Sequence, residues 1–194
     1  MRELKGIEEK ILDKALYLFG KNGTTNVPIR SIVREAEVNV SAINYYFNSK
    51  ENMMNYVKEF YLENITQAYS ALYDESLSDE EKLFKCSNEI IEYCLRYPGV
   101  LVMNKEASST KEKNEMDLKI IEKSNEANIK LYSVLKNVLN CSEEDFKYRK
   151  AIFMAAITYP ATNEDGDYNK EIISTVEERQ IYIKKLIRLL KEEN

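Results

Sequence analysis

The chain has 194 residues, with 28 Lys/Arg against 33 Asp/Glu for a formal charge of −5, three cysteines and no histidine. Without imidazole it cannot run Ser-His-Asp or Cys-His nucleophilic chemistry, His-ligated zinc hydrolysis or a histidine acid/base step, and Cys86, Cys94 and Cys141 form no Cys-x-x-Cys pair for a metal or a disulfide framework. Five Gly and three Pro punctuate a sequence rich in Lys, Glu, Leu, Ile, Asn and Tyr, so the expected fold class is all-α.

The charge argues mildly against a nucleic-acid partner, but it is not uniform. Residues 1–60 carry nine basic and eight acidic side chains, whereas residues 61–194 carry nineteen and twenty-five. There is no run of ~18 apolar residues, and the charged start has no apolar stretch behind it. No membrane partner is expected, and a reducing cytoplasm fits the cysteines.

Ile7, Ile11, Leu12, Ala15, Leu16 and Phe19 recur at helical spacing and predict a first helix, which Gly20 and Gly23 stop. A short helix follows over about Pro28–Ala36, with proline where the first turn has no amide to satisfy. After Glu37–Asn39 comes a third short segment, Val40–Phe47. In it Ile43, Tyr46 and Phe47 can pack while Ser41, Asn44 and Tyr45 point elsewhere. Two short helices sharing a tight turn make a helix-turn-helix, whose second helix presents its outer face to a major groove.

Ser49 caps a predicted helix from Lys50 to about Tyr73. Ser78 and Glu81 form a capping box for another, which Pro98-Gly99 ends. A short stretch from Gly99 to Ser108 follows, then a long helix marked by Ile120 to Val138. Ser142 opens a helix running to Tyr159-Pro160, and Thr175 with Glu178 boxes the last. About nine helices result. The acidic run Asn163–Asp167 lacks calcium-loop spacing and reads as a solvated loop, and no metal or cofactor is expected. No phosphate loop or nucleophile elbow is present, so the chain does not read as an enzyme.

Residues 7–57 resemble the DNA-binding region of the TetR/AcrR family of bacterial transcriptional regulators. The resemblance rests on Ile11, Ala15, Leu18-Phe19, Gly23, Thr24-Thr25, Ile32, Ala36, Val38 and above all the block AINYYFNSKE from Ala42 to Glu51. It covers about a quarter of the chain. The chain departs from the family pattern at three places: Glu37 replaces a turn glycine, Val27-Pro28 replace a capping Thr or Ser, and Asn39 replaces a Ser. The implied division is a helix-turn-helix DNA-binding domain at 1–50 and a helical ligand-binding and dimerisation domain at 51–194.

Asn39, Val40, Ser41, Asn44 and Tyr45, at the start or on the outer side of the third helix, are the base-reading candidates, since their polar groups and the valine methyls suit base edges. Thr24, Thr25, Tyr45, Tyr46 and Lys50 resemble the family's phosphate contacts. The resemblance also implies a homodimer on a near-palindromic double-stranded operator, through excess apolar stripes at Tyr148, Ile152, Ala155 and Tyr159 and at Ile183, Leu186, Ile187 and Leu190. It further implies a small-molecule effector, hydrophobic or weakly cationic, that releases or alters DNA binding. Candidates to line its pocket are Tyr61, Tyr69, Phe84, Tyr93, Met103, Met116, Tyr132, Phe153 and Met154. Repression is the expected mode. The competing expectation is a TetR-like helical ligand-binding or protein-interaction module without DNA binding.

Overall fold

The computed structural model describes residues 6–162 and 172–191. Its helices are α1 (Gly6–Asn22), α2 (Ile29–Glu35), α3 (Ser41–Phe47), α4 (Lys50–Ala68), a 3-10 turn (Ser70–Tyr73), α5 (Asp79–Arg96), α6 (Gly99–Ser109), α7 (Glu115–Leu139), α8 (Glu143–Thr162) and α9 (Val176–Lys191). Among the described residues there is no strand. The acidic run at 163–167 lies outside them.

Two compact units emerge, one holding the chain up to Gln67 together with Arg96–Asn125, the other Ala68–Leu95 and the chain from Glu126. In the first, α1 buries Ile11, Ala15, Leu16 and Phe19 completely, and Ile32, Ile43, Phe47, Met53 and Val57 complete a small core under α2 and α3. Gly20 does not stop α1, as its sequence suggests; the helix continues to Asn22. The reason is packing against α6. A Cβ on Gly20 would lie 2.6 Å from Pro98 Cβ, and one on Gly99 would lie 2.2 Å from the Leu16 carbonyl oxygen. The stop is Gly23, at φ +64°, whose N–H donates to the Gly20 carbonyl at 3.2 Å.

The first unit also holds an enclosed ion pair. Lys58 on α4 donates to Asp117 Oδ1 at 2.6 Å, with side-chain exposures of only 17% and 10%. Asp117 and Asn114 each accept the other's backbone N–H on a side-chain oxygen, at 3.2 and 2.9 Å, and so cap α7. This cap starts α7 five residues ahead of its apolar stripe at Ile120. Phe60 and Tyr97 meet edge to face at 5.1 Å, and the Tyr61 and Ser124 hydroxyls pair at 3.1 Å.

In the second unit the Ser78/Glu81 and Thr175/Glu178 boxes form as their spacing predicts, and Ser142 caps α8 by accepting from the Asp145 N–H at 3.1 Å. The predicted helix from Lys50 to Tyr73 ends at Ala68 and tightens into the 3-10 turn, with Leu72 bonded to Tyr69 at 3.1 Å and Asp74 to Ala71 at 3.3 Å. Pro160 does not end α8, which reaches Thr162. Proline lacks the N–H that would reach Ala156, and the Tyr182 hydroxyl donates to that carbonyl instead, at 2.7 Å. Arg179, 5% exposed, ties α9 to α5 by donating to Asn88 and Glu92, each at 3.1 Å, and to the Ile173 carbonyl at 3.1 Å. Cys86 and Cys94 are buried free thiols, the latter pushed up to about 12 by burial. They are core residues. No helix among the described residues is long and apolar enough to cross a membrane.

Candidate nucleic-acid interface

The turn between α2 and α3 is built by hydrogen bonds that close α2. Val38 N–H reaches back to the Val33 carbonyl at 2.9 Å and Glu37 N–H to Arg34 at 3.1 Å, the paired bonds of a Schellman motif. The residue after the cap in this motif is left-handed, and here it is Glu37 at φ +55°. That explains why the family pattern places glycine there. Lys10 Nζ meets the Glu37 carboxylate at 3.1 Å, an exposed pair that offsets little of the backbone cost.

Asn39 opens α3. Its Oδ1 accepts from the Ser41 N–H at 2.9 Å and the Ser41 hydroxyl at 3.0 Å, so both side chains are first of all a cap. Val40 and Tyr45 are 50% and 81% exposed, and Asn44 is exposed beside them. Ile43 and Phe47 point the other way, buried. The helix is therefore seated by two apolar anchors while Val40, Asn44 and Tyr45 face solvent. Tyr46 is half-buried, 4.9 Å edge to face from Tyr45, and Phe47 packs on Tyr56 at 5.5 Å.

Beyond α3, Asn48 takes φ +62° and Ser49 Oγ accepts from the Asn52 N–H at 3.0 Å, which starts α4 at Lys50. Lys50 Nζ donates to the Val27 carbonyl at 3.2 Å, pinning the loop before α2. Thr24 and Thr25 are half-buried and already engaged. Thr24 Oγ1 and the Thr25 N–H donate to Glu106 Oε1 at 2.9 and 3.0 Å, and Thr25 Oγ1 donates to Glu106 Oε2. Burial alone would raise the Glu106 carboxyl, but these hydrogen bonds outweigh it and hold it below the ordinary glutamate value. A cavity of about 460 Å³ within the same unit is bordered by Thr25, Lys50, Met54, Lys58, Glu106 and Asp117.

Sequence reasoning did not single out Glu106 or the exposed pair Arg30 and Arg34 on α2. The arginines had a signal, being four apart and hence on one helical face. Glu106 had none, because 81 residues separate it from Thr25.

The nine proposed pocket residues divide between the units. Tyr61, Met103 and Met116 belong to the first, and Tyr69, Phe84, Tyr93, Tyr132, Phe153 and Met154 to the second. Phe153, Met103, Tyr61 and Tyr93 are buried; Tyr69, Phe84, Met116, Tyr132 and Met154 are half-buried. Met103 also borders the 460 Å³ cavity, and Phe84 lines a groove of about 660 Å³ with Lys85, Lys184, Ile187 and Arg188. Of the dimerisation residues, Tyr148 and Ile152 are exposed by 68% and 53%, Ala155 is exposed and Ile187 half-buried. The Tyr159 side chain lies outside the described residues. Ile183, Leu186 and Leu190 are buried inside the unit, and the aliphatic side chains that α9 exposes include Ile181 and Leu189. The α9 stripe read from sequence is thus the inward one, one helical face away from the outward pair.

A helix-turn-helix of this form presents the outer face of its second helix, here α3, as nucleic-acid-binding motifs do. Residues 11–57 match the family described as bacterial regulatory proteins, tetR family. A Bacillus subtilis (strain 168) protein named "Probable HTH-type transcriptional regulator YttP" is 31% identical over 93 residues, 44% of this chain and 42% of the relative, so the match spans less than half the relative's length. A TetR-family transcriptional regulator from Bordetella parapertussis 12822 superposes with a TM-score of 0.69 at 16% identity, covering 96% of this chain and 94% of that one. The TetR-family regulator PfmR from Thermus thermophilus gives 0.62 at 17% identity, covering 92% and 97%. The family match is confined to the helix-turn-helix region, and the solved structures share the all-helical fold of the chain.

Proposed function

We propose that the protein binds double-stranded operator DNA as a homodimer, represses transcription, and is released or altered by a small-molecule effector. The observation that carries the DNA-binding part is α3: Val40, Asn44 and Tyr45 are exposed together on a helix whose Ile43 and Phe47 are locked in the core. Asn44 has the paired donor and acceptor that match an adenine edge, and Val40 suits a thymine methyl. Tyr45, Tyr46, Lys50, Thr24 and Thr25 are the proposed phosphate-side residues, to which the exposed Arg30 and Arg34 are added. With few cations per half-site, binding should fall only modestly with salt.

Dimerisation is proposed through the exposed α8 stripe Tyr148/Ile152/Ala155 and the outward Ile181 and Leu189 of α9. A two-fold axis would then place two copies of α3 over a near-palindrome, half-sites ~34–36 Å apart or more. The functional division at residue 50 is retained as a proposal, distinct from the compact units, since α6 shares a unit with the head. The effector is proposed to be hydrophobic or weakly cationic.

A gel shift with the DNA upstream of the protein's own gene tests this. Retarded DNA that is lost on Asn44→Ala with Lys50→Ala supports the regulator. If no duplex is bound, the protein is a helical ligand-binding or interaction module instead.

A further inference from the structure

Thr24 and Thr25 are offered above as phosphate contacts, yet their donors already engage an anion within the chain. Two hydroxyls and one backbone N–H converge on the Glu106 carboxylate at the C-terminal half of α6, the Thr24 hydroxyl and the Thr25 amide at 2.9 and 3.0 Å. These are the same donor types that protein–DNA interfaces turn on phosphate oxygens. Each hydroxyl has one proton and so does the amide, so every donor turned to a phosphate is lost to Glu106. A phosphate brought alongside an unmoved Glu106 would also meet its negative charge.

We propose that Glu106 is an internal anion that competes with a DNA phosphate for Thr24 and Thr25, so that docking on DNA and releasing α6 from this loop are one coupled event. The inference rests on the operator-binding reading. The geometry of α6 suits it. Its start is pinned where Gly99 lies against Leu16 and Phe19 and where Pro98 lies against Gly20. Glu106 is seven residues further along, ~10 Å of helix, at the end held to the head by its own carboxylate. The hydrogen bonds from Thr24 and Thr25 favour the ionised form of the Glu106 carboxyl against the opposing effect of burial. Coupling of this kind is reciprocal. A small molecule in the cavity that borders both Thr25 and Glu106 therefore weakens DNA binding if it strengthens the closed contact, and by the same factor.

The test is fluorescence anisotropy of a duplex selected from random DNA, with the full chain as wild type, Glu106→Gln, Thr25→Val and the double variant, each first checked by thermal melting. Glu106→Gln keeps the side-chain shape and removes the charge. It is expected to bind about tenfold more tightly, with a salt slope steeper by about one, because one repelling charge has left the phosphate side. Thr25→Val is expected to weaken binding more in the Glu106→Gln background than in wild type, where its two effects oppose each other. A folded Glu106→Gln that binds within twofold of wild type, or more weakly, overturns the proposal. DNA bound by Glu106→Gln and not by wild type upholds it. If neither binds any duplex, the operator-binding reading falls, and this inference with it.

Discussion

The outer face of α3 and the outer face of the α8–α9 region are both left uncovered, and they differ in what they offer. At the start and on the outer side of α3 the exposed residues include Val40, Ser41, Asn44 and Tyr45, three of these with hydrogen-bonding groups at their tips. On α8 and α9 they include Ile152, Ile181 and Leu189, which carry none, with Tyr148 the amphipathic member. Exposed aliphatic surface gains from covering by another aliphatic surface, whereas exposed polar tips gain nothing from burial unless partners meet them. The first face is therefore suited to a ligand with an ordered pattern of donors and acceptors, the second to another copy of itself.

The largest effect should come from charging the aliphatic face. Ile152→Asp with Leu189→Asp is expected to leave the fold intact, since both residues are more than half exposed, but places two carboxylates in the proposed interface. We expect dimer affinity to fall by at least about 100-fold, read by sedimentation equilibrium, because a buried unpaired charge costs several kcal/mol. A dimer unchanged by both substitutions would show that this face is not the interface.

On the other face, Tyr45→Ala should cost about 1–3 kcal/mol of affinity for a specific duplex if the ring and hydroxyl meet DNA. The thermal midpoint should not move, because an 81% exposed side chain supports little of the core. Equal affinity for wild type and variant would remove Tyr45 from the interface and leave Asn44 as the main reader.

The smallest effect concerns the turn that aims α3. Glu37 sits at φ +55°, where glycine has no steric penalty. Glu37→Gly should stabilise the chain by about 1 kcal/mol, or ~2–4 °C in the thermal midpoint. The exposed Lys10 pair that is lost in exchange contributes little. A fall in the midpoint would mean that the ion pair outweighs the backbone strain.

Much of this architecture is legible in the sequence, for local reasons. Capping boxes such as Ser78/Glu81 and Thr175/Glu178 are written within four residues, and the alternation of Ile43 and Phe47 with Asn44 and Tyr45 fixes which side of α3 is in. The features that mislead all depend on distant partners. Gly20 looks like a stop until Pro98 is seen against it, and Pro160 looks like one until Tyr182 supplies the missing donor. The α9 stripe is real but covered by its own unit, since periodicity identifies an apolar face without saying whether that unit or a second chain covers it. Glu106 is the extreme case: nothing near it in the sequence distinguishes it from a solvated helix carboxylate.

The claim on which the rest depends is that α3 reads base sequence. Repeated selection of duplexes from random DNA by the full-length protein, followed by sequencing, tests it most directly. Base reading by α3 in a two-fold dimer would enrich an inverted repeat whose half-sites are about one helical turn or more apart, with the preferred half-site bases changed by Asn44→Ala. Selected pools with no shared motif, or the same motif from wild type and Asn44→Ala alike, would contradict it.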